Sequence, residues 1–333
     1  MEDHEEFEEI LYDWDVHNGP AIYSQLLYSV VLEEWADDHA LRVMASTMYN
    51  YRRGLPRLIE FFEGKSVQDV TAEMVIACRD KFIVELKVES SVKLYCKLMS
   101  LSLQYAQQKG YIYYNPIAGI TLTKHTRARV KPFLEWEIPK LLSQECPQWV
   151  TDAIVIAFYS GMRKGEIFAL KWADIDLDIG FIMVQDAIST ASSKAEIKCP
   201  KTPTGIRRVD TGVVLKNYLR AMERRARKVG SPYVFPASER GKYPYRIPWN
   251  LAKTIKEMCF KAGIEPRDFR SLRHSHATVL LAHGVHPKVV QERLGHSDYD
   301  ITMEGYSYVT PTIQREAIDV MDDLHVFPVA WVA

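Results

Sequence analysis

Apolar positions recur at helical spacing through residues 24–115. LLYSVVLEEWADDHA and SSVKLYCKLMSLSLQYAQQKG both carry them three and four apart, which predicts helices joined by short connections. In the second stretch Val92, Tyr95, Leu98, Met99, Ser102 and Ala106 fall on one side, and Gly110 ends the run. EGKSVQDVTAEMVIACRDKF predicts a turn and then a helix, with Thr71 as N-cap and Met74, Val75 and Cys78 turned inward. PIAGITLTKHTRARVKP breaks the pattern: it begins and ends on Pro and carries Lys124, Arg127, Arg129 and Lys131 with no acid. From residue 133 the spacing resumes, and WVTDAIVIAFYSGMRKGEIFALKW predicts an apolar helix, a turn at Gly161 and a further helix. FIMVQDAIS has strand composition and GIRRVDT is a second strand candidate, with polar ASSKAEIKCPKTPTG between them suited to a hairpin tip. The reading is a mainly α chain with a small antiparallel sheet (α+β). It divides into an acidic N-terminal tail (1–22), a helical domain (23–118), a basic linker (119–131), a second domain (132–322) and an apolar C-terminal tail (323–333).

Composition narrows the class. Of 333 residues 47% are hydrophobic and 26% charged, as in soluble globular proteins, and no run of about 18 apolar residues predicts a membrane span. The start, MEDHEEFEEI, lacks the basic and apolar parts of a signal peptide, and the five cysteines are scattered without a C-x-x-C pair. Both features predict reduced thiols and a cytoplasmic protein with no membrane partner. The net charge of −1 argues against nucleic acid until its distribution is considered. Residues 1–20 hold eight acids and no Lys or Arg, which leaves +7 on residues 21–333. A DNA binder needs local basic surface rather than a basic total, so charge neither supports nor excludes DNA. The linker reads equally as exposed chain or as a basic strap on a DNA backbone.

Candidate chemistry lies in four segments of the second domain. SGMRKGEIFAL places Arg163 after a glycine turn, and PKTPTGIRR holds Lys201. FRSLRHSHAT holds Arg270, Arg273 and His274, and LGHSDYDITMEGYSYV sets His296 ten residues before Tyr306. Phosphoryl transfer gives these residue types a common purpose. Two arginines match the charge that develops on non-bridging phosphate oxygens, because each guanidinium stays charged and offers a planar fork of donors. A lysine among other cations is able to protonate a leaving oxygen, and a tyrosine is able to attack phosphorus and hold it covalently. No carboxylate cluster accompanies them, which disfavours a two-metal nuclease. His274-x-His276 and His283-x-x-His286 lack a third ligand at sensible spacing, so neither metal nor cofactor is expected.

These four boxes, in this order, resemble those of the tyrosine recombinases of the phage-integrase type, over roughly residues 24–320. SGMRKGEIFALKWADID is similar to the family's first arginine box, PKTPTGIRR to its lysine hairpin, SLRHSHAT to its second arginine box and LGHSDYDITMEGYSYV to its closing box. The resemblance implies a core-binding domain and a catalytic domain that close as a C-shaped clamp on double-stranded DNA. It implies that Arg163 and Arg273 clamp the scissile phosphate, that Lys201 protonates the departing 5′ oxygen and that His296 hydrogen-bonds a phosphate oxygen. Tyr306 then forms a 3′-phosphotyrosyl bond, with Glu166 supporting the clamp. It further implies a homotetramer on two recombination sites, a Holliday-junction intermediate, no metal or ATP, and an accessory directionality protein as a candidate partner.

Two positions depart from the family. Arg270 stands where a histidine is usual, three residues before the second arginine; it shares a helix face with Arg273 but accepts no proton at neutral pH. Tyr308 stands where a histidine is frequent, which makes it a competing nucleophile, with Tyr299 a weaker one. The function expected is integration and excision of a mobile element, with dimer resolution in the manner of the Xer recombinases, or DNA binding on the same scaffold without catalysis, as the alternatives.

Overall fold

The computed structural model describes residues 26–86, 89–122, 130–190, 195–200, 203–226, 230–237 and 241–296. The chain divides into two compact units, with the described residues up to 122 in the first and those from 130 to 190 and from 195 onward in the second.

The first unit is helical: α1 (Tyr28–Ala40), α2 (Ala45–Phe61), α3 (Ala72–Leu86) and α4 (Glu89–Gln108). The six positions of α4 expected on one side are all buried, joined there by Cys96, Leu103 and Tyr105. Thr71 starts α3 by accepting the Met74 N–H at 3.4 Å on its hydroxyl, while Val75 and Cys78 are fully buried and Met74 half-buried. Tyr28, Leu58, Phe62, Leu98 and Met99 form the centre of this core. The hydroxyl of Tyr28 keeps a partner inside it, the Ser102 Oγ at 2.7 Å. A buried hydroxyl without a partner would cost about 1–3 kcal/mol.

The second unit runs α5 (Glu137–Leu142), α6 (Gln148–Ser160), α7 (Lys164–Ala169), β1 (Ile175–Asp176), β2 (Phe181–Val184), β3 (Ala187–Ser189), β4 (Glu196–Lys198), β5 (Arg207–Asp210), α8 (Val213–Ala226), α9 (Leu251–Lys261), α10 (Arg270–Ala282) and α11 (Pro287–Leu294). Its strands form two antiparallel sheets, one in the order β1-β2-β5 and one of β3 with β4. FIMVQDAIS is therefore two strands in different sheets rather than one. Gln185 and Asp186 divide it, because Gln185 Nε2 donates to Asp174 Oδ1 at 2.7 Å and Asp186 pairs with Lys171 at 2.8 Å. The polar stretch expected as a hairpin tip likewise contributes β4.

GIRRVDT does form a strand, β5, paired with β2 through Ile182–Val209 and Val184–Arg207. Strand alternation turns Arg207 and Val209 inward and Arg208 outward. A cation is thus delivered to the interior beneath α7. The chain enters this unit fastened to α10 and the loop before it. Lys131 pairs with Glu265 at 2.8 Å, the Phe133 N–H donates to Ser275 Oγ at 2.7 Å, and the Arg267 guanidinium lies 5.0 Å from the Phe133 ring centre. Among the described residues no helix is long and apolar enough to cross a membrane.

Candidate functional site

Three connections of the second unit meet in one place. At the first, α6 ends on Gly161 in the left-handed conformation (φ 68°), and Arg163 then starts α7. Glu166, one turn into α7, accepts the Arg163 N–H at 2.8 Å and the Arg163 Nη1–H at 2.7 Å. Arg163 is thereby fixed at both main chain and side chain. At the second, Asp268 Oδ1 accepts the N–H groups of Arg270 and Ser271 (2.9 and 3.2 Å) and so begins α10. Arg270, Arg273 and His274 then share a helix face at spacings of three and four. At the third, α11 ends on Gly295, also left-handed (φ 66°), and His296 follows it.

Arginines tie the connections together through main-chain carbonyls. Arg273 donates from Nη1 to Gly161 O (2.7 Å) and from Nη2 to Leu294 O (2.8 Å), and Arg163 donates from Nη2 to Gly295 O at 2.9 Å. Both glycines are needed. A Cβ on Gly161 would lie 2.5 Å from His276 Cδ2, and one on Gly295 would lie 2.7 Å from the Thr204 carbonyl oxygen. Either contact is too close for a real side chain, and positive φ adds strain of its own.

Beneath this layer Arg207 grips both oxygens of Glu166 (2.9 and 3.2 Å) and donates from Nε to Arg293 O at 2.8 Å. Arg293 donates in turn to His276 Nε2, Asp210 O and Tyr159 O. Neither Arg207 nor Arg293 was legible as part of the site from its segment. The Arg207-Arg208 pair offered a signal, since one of two adjacent strand residues must face inward, but the register that chooses Arg207 is set by pairing with β2.

The result is a cleft of about 530 Å³ whose lining includes Arg163, Lys164, Arg270, Arg273, His274 and His296. Burial and then the charge of Arg163 pull the Arg273 guanidinium down to about 9, so it remains a cation at neutral pH at a cost in free energy. Burial, then Arg273 and Arg163, push the His296 imidazole down to about 3, which keeps it neutral. Burial raises the Glu166 carboxyl, but the hydrogen bonds and charge of Arg207, with Arg163, outweigh it and leave a carboxylate below its ordinary range. A cationic cleft that joins buried Arg273 to exposed Arg163 and Arg270, with a neutral imidazole beside them, is preorganised for an anion.

The structure thus brings together Arg163, Arg270, Arg273 and His296 of the residues singled out by sequence. Lys201, Tyr306, Tyr308 and Tyr299, like Lys124, Arg127 and Arg129, lie outside the described residues, as do both terminal tails. Lys131 is described, and its charge is engaged by Glu265. Among the described residues no three His, Cys, Asp or Glu side chains group as a metal site. Three histidines of this region have structural partners: His276 between Phe158 O and Arg293, His283 with Val279 O, and His286 accepting the Lys288 N–H.

His276 gives a pH prediction. Its Nδ1 donates to Phe158 O at 2.7 Å, so Nε2 accepts from Arg293, an arrangement open to the neutral ring alone. Burial, then Arg293, push it down to about 4. The unfolded chain takes up the proton first, near pH 6.5, so the stabilisation is present above that pH and is lost as pH falls towards about 4. The loss amounts to about 3 kcal/mol at 1.36 kcal/mol per unit. Thermal unfolding of wild type and His276→Gln is expected to differ more at pH 7 than at about pH 4.5, and parallel pH profiles would contradict it.

The model of the phage integrase family matches residues 123–312. A XerC-like tyrosine recombinase of Caldanaerobacter subterraneus subsp. tengcongensis is 28% identical over 271 residues, covering 74% of this chain and 69% of the relative. The ICEBs1 integrase of Bacillus subtilis is 26% identical, covering 80% and 74%. The Tn1549 transposon integrase in complex with a circular intermediate DNA shares the fold at a TM-score of 0.72 and 18% identity, covering 87% of this chain and 99% of that one. A helical unit followed by an α+β unit with a guanidinium-lined cleft is the architecture of a tyrosine-type site-specific DNA recombinase. The chain belongs to the phage integrase family.

Proposed function

We propose that this recombinase integrates and excises a mobile element, acting in the cytoplasm as a homotetramer on two double-stranded DNA sites through a Holliday junction. One observation carries the reading: Arg163 and Arg273, from different elements, converge with His296 in one cleft, each arginine anchored on a main-chain carbonyl. Arg163 and Arg273 hold the scissile phosphate, and neutral His296 donates a hydrogen bond to one of its oxygens. Lys201 protonates the departing 5′ oxygen and Tyr306 forms the 3′-phosphotyrosyl bond, so the bond energy is kept without ATP or metal. Glu166 holds the arginines in place. Residues 23–118 act as the core DNA-binding domain, and the basic linker 119–131 follows the DNA backbone. An accessory protein sets direction.

The test is a suicide substrate nicked next to the cleavage point. A detergent-resistant protein–DNA adduct is expected with wild type and with Tyr308→Phe, and none with Tyr306→Phe. Lack of an adduct with wild type would reduce the protein to a DNA binder on a recombinase scaffold, the reading Arg270 favours. An adduct that survives Tyr306→Phe and vanishes in Tyr308→Phe would move the nucleophile.

A further inference from the structure

The cations of the cleft are of two kinds. Arg163 and Arg273 are committed to their own chain, Arg163 to Glu166 and the Gly295 carbonyl, Arg273 to the carbonyls of Gly161 and Leu294. Lys164 and Arg270 line the same cleft and are exposed, and their side chains have no hydrogen bond or ion pair among the described residues. The acid of the lining leaves them uncompensated: Asp268 accepts the Arg270 and Ser271 N–H groups on Oδ1 and so caps α10. Like charges gathered in one cleft repel, and bound anions relieve the repulsion. The two kinds suit different tasks. A guanidinium tied to fixed atoms is preorganised for charge that develops at one place. A long cationic side chain without an anchor is ordered only by what it binds, which suits it to holding the substrate.

We propose that Lys164 and Arg270 bind the backbone phosphates next to the one held by Arg163 and Arg273, so that the cleft grips a run of phosphates on one strand. The inference rests on the reading above that this cleft takes a DNA phosphate. Charge and spacing both favour neighbouring phosphates over a shared one. A single backbone phosphate carries one negative charge, which two arginines already exceed, whereas the next phosphate along the strand brings a charge of its own. Arg270 precedes Arg273 by three residues of α10, about 4.5 Å along the helix axis. Successive phosphates of one DNA strand rise by about 3.4 Å, a step of the same scale. Lys164 stands in the same relation to Arg163 at the start of α7: it follows an anchored arginine and is itself unanchored. In this chain, then, the position where the family usually has histidine serves to hold the strand.

The experiment pairs each side chain with each phosphate. Half-site duplexes in which one backbone phosphate at a time is replaced by an uncharged methylphosphonate are titrated in gel shifts with wild type, Arg270→Gln, Lys164→Gln and Arg273→Met. Wild type is expected to lose about 10-fold in affinity at each phosphate these residues hold. In the variant lacking the partner side chain, the same replacement is expected to cost less than about twofold, which marks the pair as coupled. Arg270 and Lys164 are each expected to couple to a phosphate adjacent to the one that couples to Arg273. Each glutamine variant is also expected to lower the slope of log K against log salt by about one. Glutamine keeps the residue 270 N–H that Asp268 accepts, so the start of α10 is retained. Coupling of Arg270 or Lys164 to the Arg273 phosphate itself, or no coupling for either of them, overturns the proposal. Arg273→Met coupling to no phosphate at all defeats the parent reading instead, and so the two failures are told apart.

Discussion

Arg273→Met is expected to abolish strand cleavage while leaving the folded protein close to its original stability. The two effects separate because the guanidinium is costly in the fold and, under the function proposed above, holds the scissile phosphate. Its pull from the ordinary guanidinium range down to about 9, caused by burial and then by Arg163, corresponds to about 5 kcal/mol held against the folded state. Against that, the substitution would leave the carbonyls of Gly161 and Leu294 without this donor, at about 1–3 kcal/mol each. The two sums nearly cancel, and methionine fills most of the vacated volume. Catalysis has no such compensation: loss of an arginine that meets developing phosphoryl charge costs about 10³–10⁵-fold. Denaturant unfolding and single-turnover adduct formation measure the two quantities side by side. Cleavage within about tenfold of wild type would remove Arg273 from the clamp, and an unfolding loss well above about 4 kcal/mol would refute the cancellation.

Glu166→Ala is expected to act the other way, as a defect of stability first. Glu166 bridges Arg163 and Arg207, and the Arg207 side chain is 6% exposed, so removing the carboxylate leaves a buried cation beside other guanidinium groups. Breaking a buried pair by deleting one partner costs about 3–5 kcal/mol. For a unit of this size that lowers the melting temperature by about 10 °C. Glu166→Gln keeps the shape and one acceptor and is expected to fall between. Because the Arg207 and Arg163 interactions hold the carboxyl below its ordinary range, its stabilisation is present above about pH 4.5 and is lost only as pH falls through the lowered value. Acid should therefore reach His276 before it reaches Glu166. A Glu166→Ala protein melting within about 2 °C of wild type would show that the network relaxes around the missing charge.

Much of this is legible in the order of residues alone. The inward face of α4 and the Thr71 cap follow from spacing, because one apolar side and one orphan N–H leave little choice. The arginine boxes announce themselves because a glycine turn, a helix start and an arginine fall together at Gly161 and Arg163. What sequence could not supply was which distant segments of the same chain meet. FIMVQDAIS looks continuous until Asp174 and Lys171, several residues upstream, take hold of Gln185 and Asp186. Arg207 and Arg208 are equivalent until β2 sets the register, after which one supports the site and the other lies 4.4 Å over the Phe181 ring. His274 and His276 are two residues apart, yet helical geometry sends one to the cleft and the other to the packed interior.

The carbonyl anchors of the clamp bear on how such an enzyme could be redirected to new DNA sequences. Arg273 and Arg163 are held at Gly161, Leu294 and Gly295 by atoms that every amino acid possesses. Exchanging surface side chains to change base preference leaves those three oxygens in place, so broad diversification of the DNA-facing surface is compatible with an intact reaction centre. The corresponding weakness is narrow and easily named: one methyl group at residue 161 or 295 would meet a packed neighbour at 2.5 or 2.7 Å, on a residue whose carbonyl oxygen an arginine depends on. A library built on this chain should hold those two codons fixed and vary what surrounds them.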